Sequence, residues 1–354
     1  MKTPLITVLI TTYNYGQFIE QAIDSVLSQD FPLDRVQVVV VDDGSTDDTS
    51  ERVEKYGSRV EYSFKPNQGQ ASALNVGIAK ARGEIIALLD ADDFFLPGKL
   101  SRIRQAFEQN PALGLVYHRL REWHMETNTY SDFGFQPTSG DIRSTPYFFS
   151  SYVTYPTSCL AFRRASLSPL LPIPENIRML ADCFLNALIP FLSPVQAVPE
   201  FLSMYRIHGN NSYYANDDNM PLEVRKARVE MWQIVVDAMF RWLADNGLTR
   251  EQLPTRVFLD RWSLHVEGCL FQLTPPGRLR FFWYLMRYDS VCIQTGWRFR
   301  AVNHFNAFGA LFTGYRRFHL LDPWRSKLSL WRRWLWRIGR SNVGKAGLRA
   351  GIGT

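Results

Sequence analysis

Asp90-Ala91-Asp92-Asp93 puts three carboxylates into four positions, directly after the apolar run Ile85-Ile86-Ala87-Leu88-Leu89. Like charges at the end of a buried strand repel one another unless protons or a cation neutralise them. A hard divalent ion such as Mg²⁺ or Mn²⁺ suits oxygen ligands, keeps several waters and takes diphosphate oxygens into its remaining positions. A helix-capping acidic loop is the competing role, and the position after a strand favours the metal. A second cluster, Asp42-Asp43-Gly44-Ser45, also follows an apolar run. A carboxylate there can accept hydrogen bonds from a nucleobase imide or a ribose hydroxyl. An Asx turn that caps the next helix is the alternative.

These clusters need elements to hold them. Ile6 to Ile10 reads as a strand ending in Thr11-Thr12-Tyr13-Asn14, followed by a helix with Phe18, Ala22, Ile23, Val26 and Leu27 on one face. Val36 to Val41 is continuously apolar, as expected of a parallel strand covered on both sides. Val60 to Phe64 is a third strand, Ala71 to Ala81 a helix stopped near Gly83, and Glu84 to Leu89 a fourth strand. Pro97 opens another helix. The alternation implies right-handed βαβ units in a largely parallel sheet, an α/β fold with helices on both faces. Ligands of such sheets bind at the carboxyl ends of the strands. All three polar clusters, Thr11–Asn14, Asp42–Asp47 and Asp90–Asp93, fall at such ends.

The set Thr11-Thr12-Tyr13-Asn14, Val41-Asp42-Asp43-Gly44-Ser45-Thr46-Asp47, Asn67-Gln68-Gly69, Ala79-Lys80-Ala81-Arg82-Gly83-Glu84 and Leu89-Asp90-Ala91-Asp92-Asp93 resembles family 2 glycosyltransferases of bacterial type in order and spacing. The likeness is strong over about residues 5–110 and weaker to about 212. It implies the GT-A fold, a Rossmann-like sheet flanked by helices, and inverting transfer of a sugar from a nucleoside-diphosphate sugar to an acceptor hydroxyl. It also implies roles at matching positions. Thr11 and Tyr13 would lie beside the nucleotide with Asp42 and Asp43, Asp43 reading the imide edge of the base. Asn67, Gln68 and Gly69 would line the floor. Asp90 and Ala91 would approach the ribose, and Asp92, with Asp90, would bind Mg²⁺ or Mn²⁺. The family's base lies in a Glu-Asp pair at a helix start, which points to Asp182 here, with Ala181 in place of the Glu. Tyr205-Arg206-Ile207-His208-Gly209-Asn210-Asn211-Ser212 resembles a segment near the end of such domains. His208 there would meet the metal or diphosphate, and Arg206 would offset its charge.

The same resemblance suggests a UDP-sugar donor by default and a glycan or lipid-linked acceptor in cell-surface synthesis. No Gln-x-x-Arg-Trp motif stands before Arg241-Trp242 or Arg261-Trp262, which argues for a non-processive enzyme. A sugar nucleotidyltransferase would want a glycine-rich basic loop after the first strand, and an aspartyl phosphatase would want its acidic loop there. Neither stands after Ile10. A non-catalytic nucleotide-sugar-binding scaffold is the remaining alternative.

The 354 residues are 46% hydrophobic, enough for a large packed core. We expect a catalytic domain over 1–220, with halves of about 1–110 and 111–220, and a helical, aromatic-rich region over 221–354. No apolar run reaches the roughly 18–20 residues that span a bilayer, and no signal-peptide pattern opens the sequence. Cys159, Cys183, Cys269 and Cys292 fit no zinc spacing and read as reduced thiols. A cytoplasmic protein is therefore expected. The net charge of +6 divides unevenly, since residues 277–354 hold 15 Lys/Arg against Asp289 and Asp322. Trp324, Leu328, Trp331, Leu335 and Ile338 recur at helical steps among arginines. Such a helix over 324–340 could lie on an anionic membrane at the inner face of the cell envelope, or pack on the protein's own body. No nucleic-acid-binding module accompanies the charge.

Overall fold

A computed structural model of the chain describes residues 4–133, 139–142, 155–209, 211 and 222–248. All of these belong to one compact unit, Met1–Val266. Cys269, Cys292, Arg261-Trp262 and the basic segment 324–340 lie outside the described residues.

Among the described residues nine strands form one sheet. They are β1 (Ile6–Thr12), β2 (Val36–Asp42), β3 (Glu61–Phe64), β4 (Ile85–Asp90), β5 (Phe94–Phe95), β6 (Leu115–His124), β7 (Thr129–Asp132), β8 (Leu160–Arg163) and β9 (Val195–Ile207). The order is β3-β2-β1-β4-β8-β6-β9-β5, with β7 paired to β6. The first half follows the expectation: β1, β2, β3 and β4 run parallel. Beyond β4 the sheet is mixed. β8 is antiparallel to both β4 and β6, β9 is parallel to β6, and β5 is antiparallel to β9.

Strands β1, β2 and β4 are buried on both faces because their alternate residues enter two separate cores. Val8, Ile10, Val38 and Val40 pack with Ile19 and Ile23 of helix α1 (Gly16–Leu27) and with Leu100 and Ile103 of α4 (Lys99–Gln109). Leu9, Val39 and Val41 pack on the other face with Leu74 and Ile78 of α3 (Gln70–Lys80) and with Phe184 and Leu188 of α5 (Ala181–Leu188). A short helix, α2 (Thr49–Glu54), packs beside α1. The last described helix, α6 (Leu222–Asp245), buries Trp232, Val235, Met239 and Leu243 in the second core. Trp242 Nε1 also donates to the Pro169 carbonyl at 2.9 Å. A helix that the sequence assigns to the C-terminal region thus completes the core beneath α5.

One close approach fixes the relation between the two halves. Gly69, with φ +94°, precedes α3 and lies against residues 177–178. The Gln70 amide donates to the Arg178 carbonyl at 2.9 Å, and the Ala71 amide to the Ile177 carbonyl at 3.3 Å. A Cβ on Gly69 would stand 2.6 Å from Arg178 Cα, a backbone atom that cannot swing aside. Gly69→Ala therefore meets both an unfavourable φ and a steric collision. We expect it to cost about 1–3 kcal/mol, read as a lower midpoint in thermal unfolding.

Candidate active site

The carboxyl ends of β1, β2 and β4 converge. Thr11 sits opposite Asp90 in the β1–β4 register, and its hydroxyl donates to Asp90 Oδ1 at 3.4 Å. The loop after β1 and the loop after β2 lace together. Asn14 takes the left-handed conformation, its amide donates to Ser45 Oγ at 2.8 Å, and its Oδ1 accepts from the Thr46 amide at 2.8 Å. The Gly16 amide, at the start of α1, donates to Asp47 Oδ2 at 2.9 Å. Tyr13 stands exposed on this rim.

The two aspartates after β2 divide their labour. Asp42 is fully buried, and its carboxylate accepts from the Ser45 amide (2.7 Å) and the Tyr62 hydroxyl (2.7 Å). It shapes the Asx turn that was the alternative reading of this cluster. Asp43 accepts from the Gln68 amide (3.0 Å), the Gly69 amide (2.7 Å) and Lys65 Nζ. It therefore organises the Asn67–Gly69 floor from below. Asn67 and Gln68 are exposed, and Asn67 Oδ1 accepts from Arg178 at 2.6 Å.

The acidic turn after β4 carries the strongest electrostatic stress. Burial, then the charges of Asp92 and Asp182, push the Asp90 carboxyl up to about 8. Asp93 is wholly buried and its carboxyl is raised well above the ordinary range, first by burial and then by Asp92 and Asp90. Asp93 accepts from Ser158 Oγ and from the Arg206 amide (2.9 Å). Ser158 Oγ accepts in turn from the Asp90 amide at 3.1 Å. Behind it lies Lys99, wholly buried, whose Nζ donates to the Ser158 carbonyl (2.7 Å) and Ser203 Oγ (3.1 Å) and sits 3.4 Å from the Phe95 ring centroid. Burial holds this amine well below the usual lysine range, against the pull of Cys159 and Asp93. Ala91, between the two acids, is buried in the core beneath them.

Asp92 faces the other way. His208 Nε2 lies 3.1 Å from Asp92 Oδ2, and Asn211 Nδ2 donates to the same oxygen at 3.2 Å. The imidazole is held by Phe18 (centroids 4.6 Å) and edge-on by Tyr15 (5.6 Å), with its Nδ1 buried and unpartnered. Arg206 is buried as well. Its guanidinium lies 4.4 Å from the Phe18 ring and 5.5 Å from each of the Phe94 and Trp123 rings, and it donates to Gln21 at 2.6 Å. Burial lowers its pKa, with Asp93 and Asp92 opposing. Arg206 thus reaches the acidic turn through its amide and its field, while its side chain braces the aromatic wall.

Asp182 enters from α5. Leu180, an apolar residue at φ +68°, precedes the helix and is an outlier of the kind that clusters at functional sites. Thr157 donates to Asp182 Oδ2 at 3.2 Å, and burial pushes the carboxyl up to about 6 against several hydrogen bonds that lower it. Its charge is felt at Asp90, so the two lie in one site although 92 positions apart.

These residues fit a divalent cation. Asp90, Asp92 and Asp93 crowd negative charge into one turn, and Asp92 Oδ2 and His208 Nε2 lie 3.1 Å apart. Among the described residues no three acidic, histidine or cysteine side chains are grouped so as to hold a metal ion by themselves. An ion held by one or two carboxylates and completed by substrate phosphates needs no such group. Thr157, Ser158, Ser203, Gln70, Asn211 and Lys99 were not read from the sequence. Lys99 alone left a trace, since a cation in the first turn of a helix opposes the helix dipole. The crowding predicts a measurable strain. A carboxyl raised from 3.8 to about 8 on folding costs stability as pH rises through that interval. Asp90→Asn should therefore raise the thermal midpoint of chelator-treated protein near pH 8 by a few degrees, and leave it nearly unchanged near pH 4.

The comparisons with known proteins agree with this geometry. A family model, Glycosyl transferase family 2, matches residues 7–171. An uncharacterised glycosyltransferase of Nostoc sp. is 35% identical over 215 residues, which cover 59% of this chain and 66% of the relative. A second, from Rickettsia bellii, is 33% identical over 224 residues, covering 61% of this chain and 31% of the relative. The chain thus spans just under two thirds of one and a third of the other. Among solved structures, S. aureus TarS 1–349 in complex with UDP superposes with a TM-score of 0.53 at 17% identity, over 90% of this chain and 91% of that one. The mannosyltransferase PcManGT from Pyrobaculum calidifontis, in complex with GDP-Man and Mn²⁺, gives 0.51 at 20% identity, over 91% and 85%. The fold is shared at that distance, and the motifs at the ends of β1, β2 and β4 lie within the matched span: residues 7–171 form a family 2 glycosyltransferase domain with the GT-A fold.

Proposed function

We propose that the protein transfers a sugar, with inversion, from a nucleoside-diphosphate sugar to an acceptor hydroxyl. Asp182 acts as general base and Asp92, with Asp90 and His208, binds Mg²⁺ or Mn²⁺. The observation that carries the reading is the meeting of Asp90, Asp92 and Asp182 in one site, from the end of one strand and the start of a distant helix. The nucleotide would rest on the floor formed by Asn67, Gln68 and Gly69, with Thr11, Tyr13 and Asp43 beside its base. Asp42 would contribute by shaping the turn, and Ala91 by its small size at the strand end. The ion would supply positive charge at the departing diphosphate. Arg206 and His208 add a fixed field on the same side.

Asp182 is suited to its part. An Asp near its ordinary value is a weak base, whereas one raised to about 6 is ionised at neutral pH and a better proton acceptor. It takes the acceptor proton as the oxygen attacks the anomeric carbon from the face opposite the diphosphate. The donor is a UDP-sugar in the first instance, as TarS has been solved with UDP-GlcNAc, and a GDP-sugar in the second, as PcManGT has been solved with GDP-Man. The acceptor is a glycan or a lipid-linked oligosaccharide, reached by single additions. No described helix is long and apolar enough to cross a membrane. The basic segment 324–340 would bring the domain to an anionic bilayer at the inner face of the membrane.

A panel of UDP- and GDP-sugars with Mn²⁺ or Mg²⁺, scored for nucleoside-diphosphate release, tests the reading. One donor should be turned over, and chelation should stop it. Asp92→Ala and Asp182→Asn should each lower turnover by about 10²–10⁴-fold at unchanged thermal stability; full turnover by Asp182→Asn sinks the base assignment. Because the carboxylate form of Asp182 is lost as pH falls through about 6, kcat/KM should drop about tenfold per unit below that value. Sedimentation with vesicles of anionic but not neutral lipid should require residues 324–340.

A further inference from the structure

Asp182 is held by a relay that leads away from the reacting atoms. Thr157 lies in a single 3₁₀ turn, Thr157–Cys159, just before β8. Its hydroxyl donates to Asp182 Oδ2 at 3.2 Å. The same hydroxyl oxygen accepts from Gln70 Nε2 at 3.3 Å. Gln70, the first residue of α3, turns its Oε1 to the Ala181 amide, which donates at 2.9 Å. An amide nitrogen only donates and an amide oxygen only accepts. The Ala181 amide therefore fixes which end of Gln70 faces Thr157. The donation from Gln70 in turn uses a lone pair of the Thr157 oxygen, and directs its one proton toward a carboxylate. Thr157 and Asp182 are buried and Gln70 is half-buried, which limits the water that could replace a missing partner.

We propose that Thr157, oriented by Gln70, is a positioning residue that fixes the direction of the Asp182 carboxylate relative to the acceptor hydroxyl. The inference rests on the reading of Asp182 as the base. Ala181 brings no polar side chain to this helix start, so beside the Cys183 amide and thiol of the helix itself the orienting contacts come from α3 and from the turn before β8. Asp90 also lies within reach of the Thr157 hydroxyl and competes with Asp182 for its one proton. The titratable groups facing Asp182 are thus Asp90 from the end of β4 and the Cys183 thiol from its own helix.

The test uses the full chain labelled with carboxyl-¹³C aspartate, the Asp182 signal being the one lost in Asp182→Asn. In Thr157→Val the Asp182 midpoint should move upward by about half a unit or more, because a hydrogen bond to the charged form is lost. Thr157→Ser should restore it. Gln70→Leu, which keeps the hydroxyl but frees it to turn, should move it in the same direction and decides the matter if Thr157→Val does not fold. With UDP-GlcNAc and the other donors of the panel, turnover should fall by about tenfold in Thr157→Val with KM for the donor within about twofold, since positioning of the base acts on chemistry and not on donor binding. An Asp182 midpoint unmoved in both Thr157→Val and Gln70→Leu overturns the inference. The base reading fails separately, by undiminished turnover in Asp182→Asn.

Discussion

Crowded negative charge at the tip of the fourth strand is the constraint around which this protein is organised. Asp92 and Asp182 raise the proton affinity of Asp90, and Asp92 and Asp90 raise that of Asp93, in a setting where burial already disfavours the ionised forms of Asp90, Asp93 and Asp182. Alone, such a group is a defect that folding must overcome. The chain tolerates it by giving each carboxylate a different partner. Asp93 is turned inward to Ser158 and the Arg206 amide, Asp92 outward to His208 and Asn211, Asp90 to Thr11, and Asp182 to Thr157. In the proposed reaction Asp90, Asp92 and Asp182 would use their remaining acceptor capacity on a cation and on the acceptor hydroxyl.

Lys99 shows how the inner side is managed. Its amine is sealed beneath the acidic turn, bonded to a carbonyl and a hydroxyl and resting on Phe95. It does not touch Asp93 directly. Ser158 stands between them, with its hydroxyl toward the acid and its carbonyl toward the base. A dipole placed this way lets each charge be felt by the other while neither closes a contact that would pull the turn away from the pocket.

The first half of the fold was legible because its signals are local. Continuous apolar runs at Val36–Val41 and Ile85–Leu89 announced buried parallel strands, and the polar clusters after them fell where such sheets bind ligands. The residues flagged at Asp90, Asp92, Asp182 and His208 do meet in one place. What stayed hidden depends on long-range contact. Ser158 and Thr157 belong to a segment with no periodic pattern, 65 and 25 positions from the acids they bond, and nothing in the chain near them names a partner. The mixed half of the sheet was hidden for the same reason, since strands as short as β5 and β8 carry too few residues to reveal direction. Asp42 and Asp43, adjacent and chemically identical, separated only in space: one closes its own turn, the other ties down a loop 25 residues later.

That loop is where the geometry has its widest reach. With no side chain, Gly69 lets the backbone of the Asn67–Gly69 loop and the start of α3 lie directly on residues 177 and 178, and two main-chain hydrogen bonds close the seam. The stretch that ends at Asp182 is thereby stitched to the stretch that would cradle the donor. Anyone who grafts a donor-binding half from a relative onto this chain transplants one side of a zipper. The graft keeps its register only if the incoming segment preserves the glycine and the bare backbone opposite it.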